Sequence, residues 1–282
     1  MAADSPLTGL HDIFYHILSH LTPDPKAGAP CFGFEEPDES NSARKALCCL
    51  ARTHSSFTQP ALDKMWRSLP SQKPLEHLLC IVGIAQRRPR GEWSRPPLEL
   101  CSTPATHRSG WARFQEYASR VQNIIIDPLH YTWDINAKLL QDTFWCQLLS
   151  ACGDMSVLPH LEGVTIRSMN TSRAVDAGLF RLVNTPAIRD FDVAFPQSSR
   201  KELEQLGKAL SVCFSSMQHL EVLNMEVPDT ALFLNMELLP SLHPCLRCVK
   251  LFRSGSIELG SLPLLANIPD LQDLSIDLHL RG

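Results

Sequence analysis

The residues best suited to chemistry are two short pairs. Cys245-Leu-Arg-Cys248 sets two thiols at the spacing that lets both grip one metal ion. A closed zinc site takes four ligands, and neither a second CxxC pair nor an HxxxH stands near it. The pair also overlaps an apolar repeat that reads as a strand. His16 and His20 stand four apart in HILSH, which puts both imidazoles on one face of a helix. That segment lacks the glutamate a zinc-protease helix carries, so it reads as the polar side of an amphipathic helix. The chain has no G-x-x-x-x-G-K-[ST], G-x-G-x-x-G or G-x-S-x-G. Its 13 glycines leave little material for loops that cradle phosphate. No catalytic residue, metal site or cofactor is therefore expected. An enzyme built on the Cys and His residues stays as a minor reading, tested by metal content.

The elements that position side chains must then serve binding. The chain has 282 residues, 44% of them hydrophobic, enough for a packed core. Charged residues are 20% and the net charge is -4, which gives no general attraction to nucleic acid or acidic lipid. No apolar run is long enough to span a membrane, and the N-terminal residues do not read as a secretory signal. The ten scattered cysteines read as reduced thiols, which predicts a cytoplasmic or nuclear protein. Gln86-Arg-Arg-Pro-Arg90 reads as a solvated basic run, and Trp111, Phe114 and Tyr117 as core of a helix.

Three regions differ in texture. Residues 1–69 read as helices. Residues 70–110 read as a helix followed by a Pro- and Arg-rich linker. Residues 111–282 carry a repeat of the form L-x-x-L-x-L. Its copies begin at Val121, Leu161, Ile188, Leu220, Leu246 and Leu271, with starts 40, 27, 32, 26 and 25 residues apart. After the first gap these lie at or just beyond the roughly 20–29 residues of a leucine-rich repeat. The fourth and sixth positions of every copy are apolar, as in a strand with one buried face.

Helices are predicted between the strands, over 137–152 and 199–217, the latter with Ser199 and Glu202 at capping-box spacing. Weaker ones fall at 230–242 and 257–267. Pro159, Pro186, Pro244 and Pro269 each stand two residues before a copy and mark entry into its strand. One strand plus one helix cannot bury its own apolar face, so the copies must stack. The predicted fold is α/β: a three-helix module, then a short right-handed leucine-rich-repeat solenoid of about six strands with helices outside.

Second-position residues of the copies are Gln122, Glu162, Arg189, Glu221, Arg247 and Gln272, all polar. The fifth position includes Asp192, Asn224 and Lys250. Gln122, Glu162, Arg189, Asp192, Glu221, Asn224, Arg247 and Lys250 are therefore the candidate substrate-binding residues. The competing reading of each is a merely solvated face. No polar capping repeat follows Leu271–Ile276, so the sixth strand is the cap, the product is truncated, or a partner covers the end.

In the first region Leu10, Ile13, Phe14, Ile17, Leu18 and Leu21 lie at helical spacing, and Pro23 and Pro25 stop the helix. A second helix is predicted from about Ser42 to His54, with Leu47, Leu50 and Ala51 on one side. A third is predicted to open at Pro60.

The ordering IFYHILSHLTPDP at 13–25, then a loop, then ARKALCCLARTHSSFTQPALDKMWRSL at 43–69 resembles the F-box-like domain of fungal F-box proteins. Ala51, Arg52, Phe57, Pro60, Ala61, Leu62, Asp63, Trp66, Arg67 and Leu69 stand in matching places. WARFQEYASRVQNIIID at 111–127 is similar to the segment that introduces the repeats in the same proteins. The chain departs from the pattern in lacking the proline and glutamate of the first helix, and in a long acidic stretch over 22–41. The resemblance implies a non-catalytic substrate receptor. Its helices would bind a Skp-family adaptor, and through it a cullin–RING ubiquitin ligase, while the repeats hold an unknown protein substrate. With the apolar spacing, it implies that Leu10, Ile13, Ile17, Leu18, Leu47, Leu50, Leu62 and Trp66 organise or contact the adaptor-binding face. The alternative is a leucine-rich-repeat scaffold outside any ligase.

Overall fold

The computed structural model describes residues 16–18, 20–21, 38–87, 98–126, 144–153, 155–167, 181–183, 185–194, 210, 213–214, 216–226, 245–254 and 268–278. The chain divides into two compact units, Met1–Pro70 and Ser71–Gly282.

In the first unit, helix α1 (Asp38–Thr53) packs on helix α2 (Ser55–Arg67), which runs into the short strand β1 (Ser68–Leu69). Leu47, Leu50 and Ala51 repeat at helical spacing and turn inward, while Lys45, Cys48, Cys49 and Arg52 stay wet. Leu18, Leu47 and Ala61 form the core, and Leu21, Leu50, Ala51, Phe57 and Met65 pack around them. From α1, the Arg44 guanidinium donates to the carbonyls of Met65 (3.1 Å) and Ser68. A charged donor thus serves carbonyls that the end of α2 leaves without helical partners.

Two sequence expectations change here. Helix α1 begins four residues before Ser42. Helix α2 begins at Ser55, not at Pro60, which sits inside it. The reason is His54: its backbone is extended, and its Nδ1 accepts the Ser56 N–H at 3.2 Å as an N-cap. Thr58 Oγ1 donates to the Ala51 carbonyl at 2.8 Å and closes the corner between the helices. Proline at this depth removes one helical bond, to the carbonyl of Ser56, a residue exposed to solvent.

The second unit opens with α3 (Lys73–Ile81), its first turn begun by Pro74. Gly83, at φ +76°, ends it. Gly83 N–H donates to the Cys80 carbonyl and Ile84 N–H to the Leu79 carbonyl, a reversal that needs the left-handed region. The stretch expected to be linker instead forms an antiparallel pair, β2 (Ala85–Arg87) with β3 (Leu98–Leu100). Buried Glu76 on α3 meets Arg87 of β2 at 3.4 Å. Helix α4 (Arg108–Ala118) buries Trp111 and Phe114, their rings edge to face, and leaves Tyr117 half-buried. Helix α5 (Phe144–Cys152) is the described part of the helix predicted over 137–152. The capping box at Ser199 and Glu202 and the helices at 230–242 and 257–267 lie outside the described residues.

Six strands follow the repeat: β4 (Asn123–Ile126), β5 (Gly163–Arg167), β6 (Asp190–Ala194), β7 (Val222–Glu226), β8 (Cys248–Ser254) and β9 (Asp273–Leu278). Each pairs parallel to the next, in chain order. Ile124, Val164, Phe191, Leu223, Val249 and Leu274 stand side by side at the fourth position of each copy. First, fourth and sixth positions of the first five copies are buried, and Phe214 stacks edge to face on Phe191. Leu274, in the last strand, is 42% exposed. Pro159, Pro186 and Pro269 sit in turns just before their strands. No helix among the described residues is long and apolar enough to cross a membrane.

Candidate functional site

Alternation along each strand sends every other side chain out of the core. The register then lines these side chains up across the sheet. Second-position residues already belong to the ladder. The N–H of Glu162 donates to the carbonyl of Gln122, Arg189 to Glu162, Glu221 to Arg189, Arg247 to Glu221, and Gln272 to Arg247, all at 2.7–2.8 Å. Glu162, Arg189 and Arg247 are exposed; Gln122 and Glu221 are half-buried. Read across the sheet the charges alternate, and Arg189 Nη1 lies 3.6 Å from Glu221 Oε1. Fifth-position residues Asp192, Asn224 and Lys250 are half-buried and adjacent in register. Asp192 faces Arg167 at 3.7 Å, and Lys250 faces Asp273 at 3.9 Å. Asn224 Oδ1 is enclosed and accepts no hydrogen bond from the described residues. An amide oxygen left so forfeits about 1–3 kcal/mol, so the centre of this face is polar but not fully satisfied.

The structure thus brings the five second-position candidates into one lateral row at the strand entries, and Asp192, Asn224 and Lys250 into a second row on the strands themselves. It adds Arg167, Asp190, Glu226 and Asp273, which the motif positions alone omit. Continuing the period-two alternation two residues to either side of each copy's fifth position would have found them. It also gives a reason for Gly163. Asn123, its register neighbour, lays its side-chain oxygen where a Cβ at 163 would stand. A flat glycine lets that amide lie across the strand.

Cys248 Sγ donates to Asp273 Oδ2 at 3.5 Å. Burial first, and then that bond, raises its pKa, so the thiol stays protonated at neutral pH. No group of three or more metal-ligating side chains is found among the described residues. His16 and His20 do meet, Nε2 to Nε2 at 3.4 Å with rings edge to face, on the exposed side of the first unit.

The eight residues expected at an adaptor-binding face separate by burial. Leu10 and Ile13 lie outside the described residues. Ile17 is 46% exposed. Leu62 and Trp66, one turn apart on α2, are half-buried, as is Leu50, which packs on the core. Leu18 and Leu47 are wholly enclosed between the helices, which fits organising such a face rather than lying on its surface. Compared with protein-family models, with curated proteins and with solved structures, the chain matches none.

Proposed function

We propose that this chain is a non-catalytic receptor: a leucine-rich-repeat-type solenoid holds a protein substrate, and the N-terminal helices, F-box-like, hold a Skp-family adaptor of a cullin–RING ligase. One observation carries the reading. Six parallel strands stand in chain order, the first five copies bury their apolar positions, and the copies offer an unbroken row of polar second-position side chains, an arrangement suited to grip a surface rather than to react. The adaptor half rests on the resemblance of residues 13–25 and 43–69 and on the apolar side chains left at the surface, Ile17, Leu62 and Trp66. Catalysis would belong to other subunits, and no cofactor is called for.

The test is retention by a purified Skp-family adaptor. The full chain is expected to be retained, and Ile17→Asp to lose most of that retention while melting as the parent does. A full chain that folds yet is not retained would favour the second reading, a repeat scaffold outside any ligase. The burial of Leu18 and Leu47 bears on that choice, because among the described residues it leaves Ile17, Leu62 and Trp66 to carry the contact with an adaptor.

A further inference from the structure

Charge on the docking face cancels in the middle of one row and stays open at its ends. Along the second-position row the order is Gln122, Glu162, Arg189, Glu221, Arg247, Gln272, in lateral succession. Arg189 and Glu221, in the centre, neutralise each other. Glu162 and Arg247 are exposed, and neither forms an ion pair among the described residues. Neutral glutamines close both ends. The row therefore presents one free acid and one free base, three strand spacings apart. At about 4.8 Å per spacing that separation is about 14 Å. An extended chain rises about 3.3 Å per residue, so four residues cover it.

We propose, resting on the protein-docking reading above, that the face takes an extended peptide segment running across the strands. The segment carries a basic and an acidic side chain about four residues apart, the base on Glu162 and the acid on Arg247. Charge complementarity selects this occupant. A uniformly acidic partner, nucleic acid included, would meet Glu162 and Glu221 in the same row. A uniformly basic one would meet Arg189 and Arg247. A peptide with the paired charges meets its opposite at each open end, and over the centre it meets charges already neutralised. Both peptide directions satisfy the geometry, so the requirement is on spacing and on opposite sign, not on order.

The experiment is selection of random 16-residue peptides displayed on phage, panned on the full chain, on Glu162→Arg and on Arg247→Glu. Both positions are exposed, so neither change reaches the core. The parent should enrich opposite charges about four positions apart. Glu162→Arg should enrich two acids at that spacing, and Arg247→Glu two bases. Synthetic peptides from each pool should bind about two- to fivefold more weakly to the mismatched proteins, the scale of one exposed charge contact. Peptides that bind all three proteins alike, and are lost when Asn224→Arg blocks the face, would overturn the charge rule and leave the docking reading standing. Peptides unaffected by Asn224→Arg, or no selection at all, would overturn both.

Discussion

Consider Leu223→Ala and, in a separate protein, Leu274→Ala. The two leucines hold the same repeat position, two strands apart, with Val249 between them in register. Leu223 is 1% exposed and Leu274 is 42% exposed. Truncating a fully buried leucine removes its transfer energy and leaves a cavity, together about 2–5 kcal/mol. At Leu274 water reaches the side chain, so no cavity forms. The transfer energy of about 1.5–3 kcal/mol for complete burial shrinks with the wet fraction to about 1 kcal/mol. Leu223→Ala should therefore cost at least twice as much as Leu274→Ala. Equilibrium unfolding in urea, followed by tryptophan emission, measures both. Trp111 and Trp145 are buried in the same unit and report its opening. Equal costs would refute the reasoning, because they would mean the last strand is covered in solution. Repeating the measurement at tenfold lower concentration then tells a second copy from an internal cover.

Three further outcomes are expected. Gly163→Ala should destabilise the second unit by about 1–3 kcal/mol, since the new Cβ takes the place of the Asn123 amide oxygen. In an Asn123→Ala background the same change should cost nothing, or stabilise by up to about 1 kcal/mol through lower chain entropy; equal costs in both backgrounds would falsify the close approach. Burial pushes the Cys213 thiol up to about 12 from an ordinary 9.0. The unfolded chain then releases that proton first, so stability falls as pH rises from about 9 towards 12, by at most about 1.4 kcal/mol per pH unit for this thiol. Cys213→Ala should flatten the slope of stability against pH by that share, and an unchanged slope would show the thiol is not enclosed. Arg44→Ala should lower the melting stability of the first unit by about 1.5–3 kcal/mol, because its charged donor serves the carbonyls of Met65 and Ser68. A loss below about 0.5 kcal/mol would place those carbonyls in water instead.

The repeat was legible because its signal runs along the chain. In the first five copies each apolar fourth and sixth position is buried, and each polar second or fifth position faces out or lies half-buried. Period-two alternation is a local property of backbone geometry, so seven consecutive residues suffice to state it. What alternation cannot state is who stands beside whom. Whether Arg189 is a free cation or half of a pair depends on Glu221, more than thirty residues away in the chain and one strand away in space. The same holds for Asn123 over Gly163 and for Arg44 on the end of α2.

Helix starts divided in the same way. Pro60 is a local cue for a first turn, yet the tertiary corner made by His54 and Thr58 against Ala51 moved the start five residues earlier. In the first helix an even spacing of apolar residues marked Ile17 and Leu18 alike, and only the packing of α1 and α2 separated them into surface and core. The amino-acid sequence by itself determined the strands, their order along the chain and the polar character of the face. The tertiary structure alone decided which charges cancel and which stay open. Register brings together residues 25 to 40 positions apart, and a periodicity read along the chain carries no record of that lateral pairing.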